Sequence, residues 1–302
     1  MKMLRFFDAH THVQFSAYDK DRNEVIKRAF EAGVGMVNVG TQKDTSRNAV
    51  ELAKLHNNLW AAVGLHPTHA STSDYHDSQE LGELPFSNSR ELEKRVGEEF
   101  DYEYYKNLAL DPKVLAIGEC GLDYFRLEQG TKNREQIERQ KEVFFKQIKL
   151  AHEVKKPLMI HCRNAFGDLI EVLNSSAGGG SAFGGKSYIL NSPPGIIHFF
   201  SGTVNDVKDL LDLGFYFTFG GVITFVHDYD KAVKIIPIDR ILSETDAPYV
   251  TPTPYRGKRN EPVYVIEVVK KLSELKGIST EMMAAQILKN AKRAFGIGFD
   301  QF

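Results

Sequence analysis

Short apolar runs that alternate with amphipathic stretches constrain the fold of this chain more than any other feature. Eight runs of two to six residues have the length and composition of buried strands. They are Leu4–Phe7, Val34–Val39, Leu59–Val63, Val114–Ile117, Leu158–Ile160, Gly195–Phe200, Phe215–Phe219 and Ile241–Leu242. Strands that alternate with helices pack as α/β layers, so the pattern predicts an α/β fold.

Helical signals fill the intervals between the runs. Asp21 and Glu24 have the spacing of a capping box at the start of a helix. Apolar residues recur at helical spacing within Ile137–Ala151 and within Val265–Leu275. The stretch Ser279–Phe295 is predicted to be a capped helix that packs on the outside of the fold.

Eight strands separated by helices are what a single (β/α)₈ TIM barrel requires, and 302 residues suit one. An open doubly wound sheet is the main alternative, but its first strand is usually followed by a glycine-rich nucleotide loop. Histidines follow the first run instead, which favours one barrel domain over residues 1–302. Residues 69–110 and 174–195 exceed a minimal barrel, so we predict elaborated loops there, the first with one or two extra helices.

Composition and charge limit the class of partner and the compartment. With 42% apolar and 26% charged residues, the chain resembles an ordinary soluble protein, and its net charge of −2 offers no general attraction to polyanions. No apolar run is long enough to cross a bilayer, and Asp8 interrupts the first run far short of a signal peptide. Cys120 and Cys162 alone do not indicate a disulfide framework. We therefore expect a cytoplasmic monomer with no membrane partner.

The first strand leads into Asp8-Ala9-His10-Thr11-His12. Alternate residues of a strand share a face, so Asp8, His10 and His12 are predicted to point the same way. Two imidazoles and a carboxylate on one face are the beginning of a divalent metal site. A structural interpretation, with two solvated loop histidines and a capping aspartate, stays open on this motif alone.

Further residues of ligand type accompany later strands. Glu119 follows the fourth strand, His161 ends the fifth, His198 lies in the sixth and Asp246 follows the eighth. Each alone has a structural explanation, as a core histidine, a paired carboxylate or a turn former. Active sites of such barrels form at the C-terminal ends of the strands, so their joint occurrence predicts a metal site at that rim.

Six short motifs contain these residues or lie between them: Asp8–His12, Gly64–Pro67, Gly118–Asp123, Ile160–Arg163, His198–Gly202 and Glu244–Pro248. Together they resemble the TatD-related metal-dependent deoxyribonucleases of the amidohydrolase superfamily. The motifs occur in the family's order between residues 8 and 262, so the resemblance covers most of the chain.

The resemblance implies a two-metal site in a (β/α)₈ barrel. By the family's pattern, the ligands of one metal are His10, His12, Glu119 and Asp246, and those of the other are Glu119, His161 and His198. Glu119 would bridge the two. Magnesium, manganese, zinc and cobalt all accept mixed imidazole and carboxylate ligands, so the identity of the metals stays open.

Two divalent metals can activate a shared water at neutral pH and neutralise the oxygens of a phosphodiester. Glu119 and Asp246 are the predicted catalytic residues, and Asp246 could orient the water and accept its proton. Non-bridging phosphate oxygens also need donors. The candidates are His66, Arg126, Arg163, Arg256, Lys258 and Arg259. For the basic residues near 256–259 a solvated face is the alternative, and for His66 a structural hydrogen bond.

Three functions remain open at this point. The leading hypothesis is a metal-dependent hydrolase of nucleic-acid phosphodiesters that trims single-stranded or frayed DNA ends. The second is a binuclear hydrolase of a small ester, lactone, amide or phosphate ester, which the near-neutral charge supports. The third is a metal-binding or nucleic-acid-binding barrel without turnover, against which the complete ligand set argues.

Overall fold

An eight-stranded parallel sheet forms the centre of the molecule. The computed structural model describes residues 3–71, 77–82, 97–125, 127, 131–178 and 194–297. The strands are β1 Phe6–Thr11, β2 Val34–Val39, β3 Leu59–Val63, β4 Val114–Asp123, β5 Leu158–Arg163, β6 Gly195–Ile197, β7 Tyr216–Phe219 and β8 Ile241–Ser243. Each strand pairs with the next along the chain. This sequential order is that of a TIM barrel and not of a doubly wound sheet, so the predicted fold is confirmed.

Helices cover the outside of the barrel. In the described part they are α1 Arg22–Glu31, α2 Lys43–Lys54, α3 Pro67–Ser71, α4 Ser78–Leu81, α5 Tyr102–Ala109, α6 Thr131–Val154, α7 Phe166–Gly178, α8 Val204–Asp212, α9 Asp230–Ile235, α10 Val265–Lys276 and α11 Thr280–Phe295. None of these combines the length and the apolar content of a membrane span.

The terminal helix α11 is capped and anchored as its sequence predicts. The Ser279 hydroxyl accepts a hydrogen bond from the Met282 N–H at 3.2 Å. Asn290, which is fully buried, donates through Nδ2 to the Ile238 carbonyl at 2.8 Å and to the Ile241 carbonyl at 2.7 Å. The amide therefore ties α11 to the start of β8.

The start of α1 differs from the prediction in its chemistry. Asp21 occupies the N-cap position, but its side chain makes no capping hydrogen bond. Its carboxylate instead accepts two hydrogen bonds from Arg259, at 2.9 and 2.6 Å. The capping-box prediction is therefore wrong, because a cation distant in sequence competes for the same oxygens.

Five C-terminal strand ends depart from the predicted ones. β1, β5 and β8 continue past their apolar runs to Thr11, Arg163 and Ser243, and the ends of β4 and β6 bear most on the site. β4 continues from Ile117 to Asp123, and its pairing with β5 shifts register between Ile117 and Cys120. β6 stops at Ile197, so His198 follows the strand and does not lie within it. Backbone hydrogen bonds define these ends, and the side-chain pattern alone does not report them.

The two predicted loop elaborations are seen in part. The first contains α4 and α5 within the described residues, which confirms extra helices there, whereas 72–76 and 83–96 lie outside the described residues. In the second, residues 174–178 complete helix α7, so the prediction of a loop from 174 is wrong at its start. Residues 179–193 lie outside the description. That residues 1–302 form one domain stays a prediction.

Candidate metal centre

The six predicted ligand residues converge at the C-terminal rim of the barrel. His161 Nδ1 lies 3.0 Å and His198 Nε2 lies 3.6 Å from Glu119 Oε1. His10 Nε2 lies 3.3 Å from the second oxygen of Glu119. His12 Nε2 lies 3.3 Å from Asp246 Oδ1, and the two β1 imidazoles approach each other to 3.1 Å between their Nε2 atoms. Glu119 is thus the common neighbour of the cluster.

Glycine allows Glu119 to approach its neighbours. Gly121 has φ of +131°, and a Cβ built there would lie 2.0 Å from the His161 carbonyl oxygen. Any other residue would push β4 away from β5 and separate Glu119 from His161. The Glu119 N–H also donates to the Gly40 carbonyl at the end of β2, at 2.9 Å. The irregular course of β4 is therefore fixed on both sides.

The seam between β1 and β8 lies beside the same cluster. The Asp246 N–H donates to the His10 carbonyl at 2.9 Å, and the His12 N–H donates to the Ala247 carbonyl at 2.8 Å. The buried carboxylate of Asp8 accepts from the backbone N–H of Thr245 at 2.9 Å and from that of His10 at 3.3 Å. Asp8 therefore orients the strand ends and does not face the cluster as a ligand would.

Three histidines have a hydrogen-bond partner on the side away from the cluster. His12 Nδ1 lies 2.7 Å from the Val39 carbonyl, which can only accept, so Nδ1 carries a proton and Nε2 is the nitrogen that faces inwards. His161 Nε2 lies 2.9 Å from Asp123 Oδ2, and His198 Nδ1 lies 2.9 Å from Glu244 Oε2. Such outer partners fix the tautomer and the ring orientation of metal-ligating histidines.

Asp123 and Glu244 were not among the predicted site residues, although both lie inside the motifs that carry the resemblance. Asp123 is the last residue of β4 and is paired in register with Arg163, which brings it beside β5. Glu244 follows β8 and is fully buried. Their partners are 38 and 46 residues away, so only the folded barrel brings the pairs together.

His66 faces the cluster as a hydrogen-bond donor. The backbone N–H of Thr68 donates to His66 Nδ1 at 3.2 Å, and the Thr68 hydroxyl lies 2.7 Å from the same nitrogen. Nδ1 is therefore the acceptor of a neutral ring, and the proton is on Nε2. That Nε2 lies 3.2 Å from Glu119 Oε1. The imidazole N–H is directed at the centre of the cluster.

The negative charges of the carboxylates in the cluster are balanced by protonated histidines. Burial lowers the pKa of His161, but the carboxylates of Asp123 and Glu119 outweigh it and raise this pKa to about 9. Burial likewise lowers the pKa of His198, while Glu244 and Glu119 raise it to about 10. Burial also lowers the pKa of His10, to about 3, so this ring stays neutral.

Glu119 stays ionised at neutral pH. Burial raises its pKa, but the histidines around it hold the value well below the usual range. Among the residues that the structure describes, its ion-pair partners are all histidines. Imidazole and carboxylate donors that converge without a lysine or arginine suit a divalent cation, which can replace the protons of the charged rings. The residues present therefore fit the predicted metals.

Three groups of side chains are compact enough to hold an ion: His10, His12 and Asp246; His10, Glu119 and His198; and His66, Asp123 and His161. The first two groups consist of predicted ligands. The third is explained by hydrogen bonds, because His66 carries its proton on Nε2 and Asp123 accepts from His161. His161, the sixth predicted ligand, joins the set through Nδ1, which lies 3.0 Å from Glu119 Oε1, and His66 and Asp123 lie around the ligands.

A cleft of about 430 Å³ opens over the cluster. Of the predicted phosphate-binding residues, His66 and Arg163 line it. Arg256 donates to the Thr251 carbonyl at 2.8 Å, and Lys258 is exposed. Arg259 is held by Asp21 and donates to the Ala17 carbonyl, away from the cleft. Arg126 lies outside the described residues. Phosphate binding by each of these residues stays a prediction.

Strained backbone occurs at the strand ends that form the cleft. Asn164, Phe199 and Asp246 have φ values of 56°, 45° and 55°, in the left-handed region that non-glycine residues seldom adopt. Each such residue costs on the order of 1 kcal/mol or more, and such strain concentrates at functional sites. The rim is therefore shaped at the expense of stability.

Comparison with known proteins agrees with this geometry. Residues 7–296 match the sequence model of the family described as TatD related DNase. The chain belongs to the TatD-related DNase family. As a TatD-family protein it is a metal-dependent hydrolase that acts on ester bonds, which removes the hypothesis of a barrel without turnover.

Individual relatives of this TatD-family chain cover it almost completely. The uncharacterized metal-dependent hydrolase YabD of Bacillus subtilis is 37% identical over 96% of this chain and 99% of its own length. The 3'-5' ssDNA/RNA exonuclease TatD of Erwinia amylovora is 31% identical over 96% of this chain and 100% of its own length. The crystal structure of YJJV, a TatD homologue of Escherichia coli, superimposes with a TM-score of 0.77 at 25% identity, covering 98% and 100% of the two chains.

Proposed function

We propose that this protein hydrolyses phosphodiester bonds of nucleic acids with two bound divalent metals. The observation that carries the proposal is the position of Glu119, whose two oxygens face different sets of histidines. A carboxylate with ligand-type nitrogens on both oxygens is suited to bridge two ions. The proposal keeps magnesium, manganese, zinc and cobalt as candidates.

Each ligand in the proposal has an inward-facing atom. His10, His12, Glu119 and Asp246 would hold one metal, and Glu119, His161 and His198 the other. When bound, divalent metals supply an activated water and neutralise charge on the phosphate. Asp123 and Glu244 would hold His161 and His198 in the orientation that directs one nitrogen of each ring to the metal.

The chain itself would bind and orient the substrate. His66 presents an N–H at the centre of the cluster and would donate to a phosphate oxygen there. Arg163 lines the cleft and would pair with a second oxygen. Asp246 would hold the attacking water and accept its proton, which its position beside His12 permits.

The proposed substrate is the end of a single-stranded nucleic acid, with DNA as the expected form. The relative from Erwinia amylovora is named for exonuclease activity on single-stranded DNA and RNA, which supports this choice. Both cysteines are free and buried, which suits a reducing compartment, and the proposal places the enzyme in the cytoplasm as a monomer.

The test is hydrolysis of labelled single-stranded and double-stranded oligonucleotides by purified protein. We expect EDTA to abolish cleavage and added divalent metal to restore it. His161→Ala and Asp246→Asn should remove most activity, whereas Glu142→Gln, at a glutamate 63% exposed on α6, should not. Elemental analysis of the same samples should give two metals per chain. Undiminished cleavage by metal-stripped protein would refute the proposal.

Hydrolysis of a small ester, lactone, amide or phosphate ester is the second candidate. Asp77 and Glu80 line one side of the cleft, and these carboxylates disfavour a polyanion on that side. The two functions differ in their response to salt, because phosphate contacts by arginine and lysine weaken steeply as salt rises. Turnover of a small ester that exceeds oligonucleotide turnover and is insensitive to salt would favour this alternative.

A further inference from the structure

Arg163 presents its guanidinium to the cleft from the end of β5, supported by an aromatic ring. Its Cζ lies 3.5 Å from the centroid of the Phe125 ring. This separation equals the thickness of two stacked planar groups, whereas an edge-on guanidinium would hold its carbon farther away. The guanidinium therefore lies flat on the ring, and its N–H groups, which are in the guanidinium plane, remain free to donate.

The donors of Arg163 have no competing acceptor in the described part of the chain. No carboxylate or carbonyl there accepts a hydrogen bond from the guanidinium, and the residue is exposed. A second arginine–phenylalanine stack shows the contrast: Arg256 lies 4.0 Å over Phe225, but its guanidinium donates to the Thr251 carbonyl. Among the residues that the structure describes, Arg163 is held by the face of its guanidinium alone, and its donors can meet a ligand or solvent.

The stack is also linked to the metal centre. Phe125 is 54% exposed, so the barrel core does not explain its position. Its backbone N–H donates to Asp123 Oδ1 at 2.9 Å, while Asp123 Oδ2 lies 2.9 Å from His161 Nε2. One carboxylate thus positions both a predicted ligand and the residue that supports Arg163. Arg163 itself lies two residues after His161 on β5, so the strand and this carboxylate together place the stack beside the metal centre.

From these contacts we infer that Phe125 is a positioning residue for substrate binding: it holds the Arg163 guanidinium flat so that its N–H groups meet a phosphate oxygen of a nucleic-acid substrate. This inference rests on the proposed function. A free arginine loses rotamer entropy when it binds phosphate, and the ring removes part of that loss beforehand. Phe125 itself need not contact the substrate.

The test is a double-mutant cycle with Phe125→Leu, Arg163→Ala and the double variant, assayed on single-stranded oligothymidylate. A cation–π contact at an exposed site corresponds to about a two- to fivefold change in affinity, so Phe125→Leu should raise KM by that factor with kcat unchanged. Phe125→Trp, which keeps the stack, should not raise KM. Arg163→Ala should raise KM and make the dependence of log(kcat/KM) on log salt less steep by about 0.7.

The decisive comparison is the effect of Phe125→Leu when Arg163 is absent. The inference requires that the leucine variant then leaves KM unchanged. An equal rise in KM with and without Arg163 overturns it, because Phe125 would then act directly or on the fold. Arg47→Ala, at an arginine 50% exposed on α2, is the matched loss of charge and should leave KM unchanged.

The outcome also separates this inference from the proposed function. If oligothymidylate is hydrolysed but Arg163→Ala leaves both KM and the salt dependence unaltered, the positioning role is wrong and the nuclease function stands. If metal-loaded wild-type protein fails to cleave oligothymidylate, both are wrong.

Discussion

Replacing Glu244 by glutamine separates the charge of this carboxylate from its hydrogen bonds. Glu244 is fully buried, and its Oε2 accepts from His198 Nδ1 at 2.9 Å and from the Thr218 hydroxyl at 2.5 Å. A glutamine can place its carbonyl oxygen at the same point and keep both bonds without the negative charge. Alanine leaves His198 Nδ1 without its acceptor and leaves the Thr218 hydroxyl only the longer contact, 3.4 Å, to the Ile197 carbonyl.

The expected loss of metal affinity follows from these contacts. Loss of an outer partner of a ligating histidine lowers metal affinity about 10- to 100-fold, or about 1.4 to 2.8 kcal/mol, which we expect for Glu244→Ala. A charge-assisted hydrogen bond is roughly twice as strong as a neutral one, so Glu244→Gln should retain about half of the effect. Its affinity should fall by about three- to tenfold.

Stability should respond differently from affinity. Burial raises the pKa of Glu244 although His198 opposes the change, so the fold disfavours the charged carboxylate. Glutamine removes that cost but buries an amide N–H₂ group. These effects oppose each other, and the free energy of unfolding of the metal-free protein should change by less than about 1 kcal/mol. Alanine should lower it by about 2 kcal/mol, because the buried His198 N–H loses its acceptor and Thr218 loses the shorter of its two.

Calorimetric titration of metal-free protein with zinc or manganese measures the affinities, and urea unfolding measures the stabilities. Glu142→Gln is the matched control, since that glutamate is 63% exposed and pairs only with Lys146 among the described residues. If glutamine and alanine at position 244 weaken metal binding equally, the charge of Glu244 carries the whole effect and our estimate is wrong. If alanine leaves the affinity unchanged, Glu244 does not support a ligand.

Four further predictions concern other parts of the structure. The raised pKa values of His161 and His198, about 9 and about 10, mean that metal binding near pH 7 releases protons, which calorimetry in two buffers of different ionisation heat can count. In the metal-free protein the two protonated rings contribute their full stabilisation below pH 6.5. This contribution is lost as the pH rises through 9 to 10, which thermal unfolding at a series of pH values should show. Asn290→Ala should lower the unfolding free energy in urea by about 2 kcal/mol, since two buried carbonyls lose their donor. His66→Phe should reduce oligonucleotide cleavage at least about tenfold with metal content unchanged, while His66→Gln, which keeps an N–H donor, should retain more activity.

The strands that the sequence predicts correctly are those whose backbone pairing ends with the apolar run. β2 and β3 have the predicted bounds. β4 continues through Gly118–Asp123, where glycine, cysteine and a carboxylate occur, because the ladder with β5 depends on backbone groups that every residue type supplies. Turn-like composition therefore concealed the second half of β4.

The predicted ligands could be found because each lies at the end of a strand. A residue that follows an apolar run in the sequence then lies at the C-terminal rim of the barrel. Asp123 and Glu244 also lie at strand ends, but which histidine each one supports cannot be found in this way, because the pairings span 38 and 46 residues. Arg259 illustrates the limit. The basic residues near 256–259 suggested phosphate contact, yet the Arg259 guanidinium forms an ion pair with Asp21, which is 238 residues away along the chain. A pairing of that kind depends on the closed barrel and has no local pattern.

The seam between β1 and β8 has a consequence for how the protein is held together. Asp8 and Thr245 meet across it although they are 237 residues apart in sequence. Metal shared by His10, His12 and Asp246 would therefore cross-link the two ends of a very long loop, much as a disulfide does, and such links restrict the unfolded chain more as the loop grows. During synthesis the histidines of β1 emerge long before Asp246, so this link forms last. The ion that makes the enzyme active would thus also stabilise the closed barrel by joining its first and last strands.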